Sequence, residues 1–581
     1  MAAHPDQITI ATMWHYIQRV CREMRYTVER TATNVLVVTL HDMAYGLWDA
    51  EGRVIAIPEG FPTRLISSTF PVKRVSEKFA GQIRPGDTFL TNYPLDGAIH
   101  LPDWVFIRPV FYHDELLFFT CMGTHMADNG GAQAGSHFLA SDSIAEGLNI
   151  PLIKLVENNE YREDVLELIL ANNRLPDMMR RELASLMGST IVAEQRMVEL
   201  LDKYGKETVL GGIDEMMERT EKAVRAKLAT WPNGTFSADV ETDDDGLTFG
   251  RTVHVRCELT IKQGELYFDF SKSDDQVAGM INSYYQQTLS VVLCTTFLFL
   301  GNDLAAYHNE GSMKPIHVTT KKGTIVDCKP GALVAGGPAV TGTLVTEAVM
   351  SVLSQALPSK AVSPYSRLIA PLVVGRDSKA GGVYVYSSFC SAAGAGAVTG
   401  YDGYQCACEG GTLGVVGKTD AEEEMARFPW DINQYEFRTD SHGAGQWRGA
   451  PGIIWEGVNE SSDCNSLGGP WCGFTTQGDG QHGGGPTPLN KAHVLRGRDK
   501  IEILDPHRPL TLQRGDHLVT LSGGGAGVGK PENRDPEAVR DDVRNELVSV
   551  DMARDVYKVV VDPDTFEIDQ AGTAEARRVS R

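Results

Sequence analysis

Between Gly97 and Gly131 the chain reads GAIHLPDWVFIRPVFYHDELLFFTCMGTHMADNGG, which sets His100, Asp103 and His125 in an H-x-x-D…H arrangement around an apolar stretch. Two neutral imidazoles and one carboxylate make an open ligand set for Zn, Mn or Fe(II), with positions left for water and substrate. The same residue types can instead satisfy buried backbone groups, and spacing alone leaves both readings open. Asp128 follows His125 by three residues, near enough on a turn to orient an imidazole N–H or to join the ligands. His41 and Asp42, at the end of a strand-like run, and His137 are further polar candidates, His41 and Asp42 for catalytic roles.

For this trio to act together, the chain between its members must return on itself. His100 and Asp103 share a tight turn flanked by Gly97 and Pro102, and Trp104 to Met122 reads as two strands joined at His113-Asp114. Such a hairpin carries His125 back beside His100 and Asp103. Ahead of it, apolar residues at near-helical spacing from Ile8 to Met24 predict a helix from Thr9 to about Thr31. Val35 to Leu40 reads as a strand, Asp49 to Gly52 as a hairpin turn, and Arg53 to Ile57 as the next strand.

From residue 160 to 231 the composition turns to Leu, Met, Glu, Arg and Lys at helical period, with Pro176 and Gly188 as punctuation. Two or three helices are expected there and another over Ile213 to Trp231, with Arg180, Arg181 and Glu182 on a solvated face. After Pro232-Asn233-Gly234 strand patterns return. The expected fold class is mixed α/β (α+β) and multi-lobed, a β-rich core with a helical insertion. Its divisions are a mixed-sheet region with the metal motif (1–159), a helical segment (160–231) and a β-rich, Gly-rich region (232–581).

A chain of 581 residues exceeds what one core holds, so about two to four structural units are expected. The net charge of −22 offers no basic field to follow phosphates, which argues against nucleic acid as a partner. The longest apolar run, Val291 to Leu300, is too short for a bilayer, and no signal segment is visible, so no membrane association and a cytoplasmic location are expected. Ten cysteines without a framework fit reduced thiols, and Cys406-Ala407-Cys408 is a weak metal signal. Gly483 to Gly485 and Gly523 to Gly529 could present backbone N–H groups to an anion. Gly529-Lys530 is followed by Pro531, so neither cluster is a P-loop.

Several long segments resemble the hydantoinase B / oxoprolinase family, which includes subunits of acetone and acetophenone carboxylases and caprolactamase-like lactamases. They are LWDAEGRVIA (Leu47 to Ala56), PGDTFLTNYPLDGAIHLPD (Pro85 to Asp103), GTHMADNGG (Gly123 to Gly131), EGLNIPLIKL (Glu146 to Leu155), LILANNRLPDMMRREL (Leu168 to Leu183), DSHGAGQWRGAPG (Asp440 to Gly452) and the stretch from Leu521 to Val560. The resemblance implies that His100, Asp103 and His125 bind a divalent metal (Zn, Mn or Fe). It also implies that ATP is bound by a separate hydantoinase A-like ATPase subunit, and that charged residues such as His41 and Asp42 lie near the site. Many members resemble one another in an H-H-A-D-I-G-G segment, where this chain has Met126 in place of the second histidine. A thioether is a poor acid, base and hard-metal ligand, so that position's role is absent or relocated here.

The expected activity is that of the metal-bearing subunit of an ATP-dependent cyclic-amide hydrolase of hydantoinase, 5-oxoprolinase or lactamase type. It would act on a carbonyl O-phosphorylated by the partner. The alternative is a subunit of a biotin-independent, ATP-dependent ketone carboxylase, and a third reading is a silent scaffold for the ATPase.

Overall fold

The computed structural model describes residues 6–579 except 59, 134, 136–138, 302, 305–306, 378–381, 389–393, 406–409, 462 and 470. The Cys406/Cys408 pair and His137 lie outside the described residues. The chain forms two compact units, one of Met1–Thr235, Glu258–Ser271 and Asn282–Pro338, the other of Phe236–Cys257, Lys272–Ile281 and Ala339–Arg581. The mixed α/β class holds. Among the described residues no helix is long and apolar enough to cross a membrane.

The first unit opens with α1 (Gln7–Thr31), started by Asp6, whose carboxylate accepts the N–H groups of Ile8 and Thr9. Its apolar stripe, including Met13, Ile17, Val20 and Met24, is buried in the core. Val35–Val38 is a single helical turn and not the expected strand. Asn34 decides this, because its side chain accepts from Leu36 N–H and its carbonyl from Val37 and Val38, an N-cap that outweighs the β-branched preference of three valines.

Seven strands follow, β1 (Met43–Asp49), β2 (Val54–Ala56), β3 (Thr88–Thr91), β4 (Asp103–Tyr112), β5 (Glu115–His125), β6 (Ile153–Glu157) and β7 (Glu160–Tyr161), in the sheet order β2-β1-β5-β4-β3-β6-β7. The β4–β5 hairpin turns at His113 and Asp114, both with positive φ (46° and 64°), as a tight two-residue hairpin requires. Because β5 runs antiparallel to both neighbours, the start of β1, the start of β4 and the end of β5 meet at one edge of the sheet.

Helices α2 (Pro176–Tyr204) and α3 (Lys206–Leu228) complete this part of the unit. Pro176 begins α2, but Gly188 does not end it: a lone glycine costs a helix about 1 kcal/mol, which burial along 29 residues offsets. Lys206 lies seven residues before the expected helix start at Ile213, after Gly205 with φ 79°. Arg180 and Arg181 are exposed, whereas Glu182 is buried. Its Oε1 accepts from the backbone N–H groups of Thr33 (2.6 Å) and Asn34 (3.0 Å), tying α2 to the turn that precedes β1. Tyr285–Leu300 forms α4, an almost wholly buried helix.

The second unit carries two antiparallel sheets. One has the order Gly382–Ser387, Leu372–Asp377, Asp463–Gly468, Leu510–Leu512, and the other Trp430–Arg438, Gly452–Asn459, His517–Leu521, Lys491–Arg496, Asp499–Glu502. Trp430, Trp455, Trp471 and Tyr386 form its aromatic core. The glycine clusters pack backbone against backbone there. The N–H groups of Gly485, Gly524, Gly525 and Gly527 are taken by the carbonyls of Ala444, Ser441, Ala450 and Gly485, so these amides are not presented to an anion.

Candidate metal centre

Three strand ends and one turn build the site. Asp103, first residue of β4, is the cross-strand partner of His125, last residue of β5. His100 precedes β4 on a turn closed by Asp103 N–H donating to the His100 carbonyl (3.1 Å). Side-chain atoms of His100, Asp103 and His125 lie within 4.8 Å of one another. His100 Nε2 is 3.1 Å and His125 Nδ1 3.3 Å from Asp103 Oδ1.

The surroundings fix these groups. His100 sits between two acceptors, its Nδ1 3.2 Å from the Ala335 carbonyl and its Nε2 3.1 Å from Asp103 Oδ1, so an ion taken by Nε2 would leave the ring proton on Nδ1 facing Ala335. The His125 backbone is held by Asn34, whose Nδ2 donates to the His125 carbonyl (2.9 Å), and Asn34 is itself anchored by Glu182. His125 is the open member, with 24% of its side chain exposed against 7% and 3% for His100 and Asp103.

Sequence reasoning missed Arg64. It sits in the turn Pro62–Leu65, is 3% exposed, donates from Nη1 to Asp103 Oδ1 (2.8 Å) and pairs through Nη2 with Asp42. Its one sequence signal is a lone cation inside the apolar run FPTRLI. Burial alone would raise the Asp103 carboxyl, but the Arg64 charge, with His100 and the hydrogen bonds from both imidazoles, holds it well below the usual carboxylate range. Burial pushes the Arg64 guanidinium down against the pull of Asp103. Burial likewise lowers His125, outweighing its attraction to Asp103, and so favours the neutral, ligating imidazole.

Asp42, just before β1, reaches the cluster, its Oδ2 3.9 Å from His125 Nδ1. His41 does not: with φ 57° it turns its ring to α1, where Nδ1 is 2.5 Å from Glu29 and 3.2 Å from Arg25. Asp128 is also committed elsewhere, its carboxylate accepting from Arg174 N–H (2.7 Å) and Arg174 Nη1 (3.0 Å). Met126 is 1% exposed and belongs to the apolar core, with its N–H on the Pro102 carbonyl.

This donor set fits a divalent cation. Asp42 and Asp103 bring −2 and Arg64 brings +1, a net −1 in a buried space that a cation would offset, beside two imidazoles that each bring a ring nitrogen to Asp103.

The hydantoinase B/oxoprolinase family profile matches residues 6–531. The chain belongs to the hydantoinase B/oxoprolinase family. Within it, the caprolactamase subunit beta of Pseudomonas jessenii is 29% identical over 583 residues, 98% of each chain. The crystal structure of the ATP-dependent caprolactamase from Pseudomonas jessenii superposes with a TM-score of 0.87 at 28% identity, over 99% of this chain and 100% of that one. A nucleotide-free acetone carboxylase structure gives a TM-score of 0.90 at 19% identity, over 99% of this chain and 83% of that one, a likeness of fold.

Proposed function

We propose that this chain is the metal-bearing subunit of an ATP-dependent cyclic-amide hydrolase, working on a carbonyl whose oxygen a hydantoinase A-like ATPase subunit has phosphorylated. The observation that carries the reading is the convergence of His100, Asp103 and His125 within 4.8 Å, in a chain that aligns end to end with a caprolactamase subunit.

A ring amide resists water because its carbonyl carbon is a poor electrophile, and phosphorylation of the oxygen relieves this. A divalent ion held by His100, Asp103 and His125 would supply Lewis acidity at the reacting carbon's oxygen and make water a nucleophile at neutral pH. The chain's own groups set the conditions for it. Ala335 orients the ring of His100, Arg64 keeps Asp103 ionised, and burial favours the neutral form of His125. The open flank at His125 is the side from which substrate would approach.

The test is turnover on mixing with a hydantoinase A-like subunit. A lactam, hydantoin or oxoproline should be opened with ATP and without bicarbonate. Incorporation of labelled bicarbonate into a β-keto acid from a ketone, with no ring opening across a lactam panel, would replace this reading by that of a ketone carboxylase.

A further inference from the structure

A pocket of about 400 Å³ opens on the first unit, with none of His100, Asp103 and His125 in its lining. Small-molecule sites run from roughly 300 to 1,000 Å³, so it has room for one small ligand. Leu95 and Ile144, both exposed, and the buried Leu101 give it apolar wall. Tyr93 and Tyr284 line it too, and the electron-rich faces of such rings attract cations. Glu146 is the one charged side chain in the lining among the described residues.

Glu146 is 2% exposed, and its two oxygens differ. Oε1 accepts the N–H groups of Val334 and Ala335, each at 2.9 Å. Oε2 takes no hydrogen bond from the described residues and is not sealed from solvent. Burial pushes the carboxyl up to about 7 in spite of those two N–H groups, which leaves a buried charge that a cation would stabilise. A purely structural role, holding Val334 and Ala335, uses Oε1 and gives Oε2 nothing to do. Asn149, also in the lining, donates from Nδ2 to the carbonyls of Ser143 (3.4 Å) and Gly147 (3.2 Å), so what it has left is Oδ1, a second acceptor. Lys322 does not supply the missing charge: its Nζ lies 5.6 Å from the Tyr284 ring centroid but is held by Asp327 at 2.9 Å, and it is not in the described lining.

We propose that this pocket is a binding site for an alkylammonium group, separate from the metal centre, with Glu146 Oε2 accepting from the ammonium head and the alkyl chain lying along Leu95, Leu101 and Ile144. A primary ammonium brings three donors and no acceptor, which matches a described lining whose spare side-chain atoms include two carboxamide and carboxylate oxygens and whose one charge is negative. A carboxylate ligand would meet Glu146 with no cation in that lining to screen it, and a neutral alcohol would offer one donor and no charge. The group belongs either to a free amine or to the side chain of a lysine on another protein.

Ligand-observed NMR on the full chain at pH 8, where Glu146 is mostly ionised and an alkylamine still protonated, tests this with n-butylammonium, 1-butanol and butyrate as probes. Butylammonium should bind about tenfold more tightly than either other probe, the margin of a hydrogen bond to a charged group. Glu146→Gln keeps an oxygen for Val334 and Ala335 and should erase that margin over butanol. Ala332→Trp, at a partly exposed position of the lining, should abolish butylammonium binding and keeps the test open if the Glu146 variant does not fold. Nα-acetyl-lysine methylamide separates the two sources: tighter binding than butylammonium assigns the site to a lysine of another protein, and weaker binding to a free amine. Butanol or butyrate binding as tightly as butylammonium, no butylammonium binding in the millimolar range, or an Ala332→Trp chain that binds normally would overturn the assignment.

Discussion

Asp103 and His125 stand directly opposite each other across the β4–β5 ladder, with His125 Nδ1 3.3 Å from Asp103 Oδ1. Their distance is therefore set by strand register and not by loop conformation. A one-residue slip would send one of the two side chains to the other face of the sheet. The register at the site is held by the ladder from Asp103↔His125 to Val110↔Phe118 and by the flanking strand β1, with a bulge at Val110/Phe111 separating it from the turn.

Arg64 carries the electrostatic balance of that edge. Arg64→Met should destabilise the metal-free chain by about 3 kcal/mol, because Asp42 and Asp103 then share a buried space without a counter-charge. Urea denaturation with and without Zn²⁺ or Mn²⁺ checks it. The added ion should recover more stability in the variant than in the wild type.

A second buried pair gives a pH signature. His507 Nε2 lies 3.0 Å from Asp244 in the second unit. Burial would lower its pKa, but the hydrogen bond and charge of Asp244, with Asp505 adding, win and raise it. A histidine whose pKa is higher folded than unfolded stabilises fully below the unfolded value near 6.5, and that contribution is lost as pH rises through the folded value. Denaturation at pH 5.5 and pH 9 should therefore show a loss of stability at the higher pH. His507→Gln should remove that loss while costing about 3 kcal/mol at pH 5.5.

Some of this was legible in the sequence and some was not. The β4–β5 hairpin was, because apolar strands flanking His113-Asp114 leave few alternatives. The helix over Gln7–Thr31 was too, from its apolar stripe. Val35–Val38 misled because β-branched residues read as strand, while one cap at Asn34 decides so short an element. Glu182 looked solvated because a charge on a helix does not reveal which backbone amides it will meet 148 residues away. Arg64 was invisible as a site residue for the same reason: it acquires its role only through Asp42 and Asp103.

Close backbone packing in the second unit makes its glycines intolerant of a side chain. A Cβ on Gly525 would collide with the Ala395 carbonyl. Gly525→Ala should cost about 3 kcal/mol or more, read as a lowered thermal midpoint.

The same packing bears on nucleotide binding. With the amides of Gly485, Gly524, Gly525 and Gly527 already bonded, the isolated chain should show no heat of ATP binding by calorimetry and no ATP hydrolysis. Tight ATP binding by this chain alone would overturn the division of labour with a separate ATPase.

The most direct test of the central claim is elemental analysis of the purified chain beside His100→Ala, Asp103→Ala and His125→Ala, each checked for folding by circular dichroism. The wild type should hold about one divalent ion per chain, and each folded variant should lose most of it, since two remaining protein ligands cannot hold the ion against water. Full metal occupancy in all three folded variants would contradict the assignment of these residues as the metal centre.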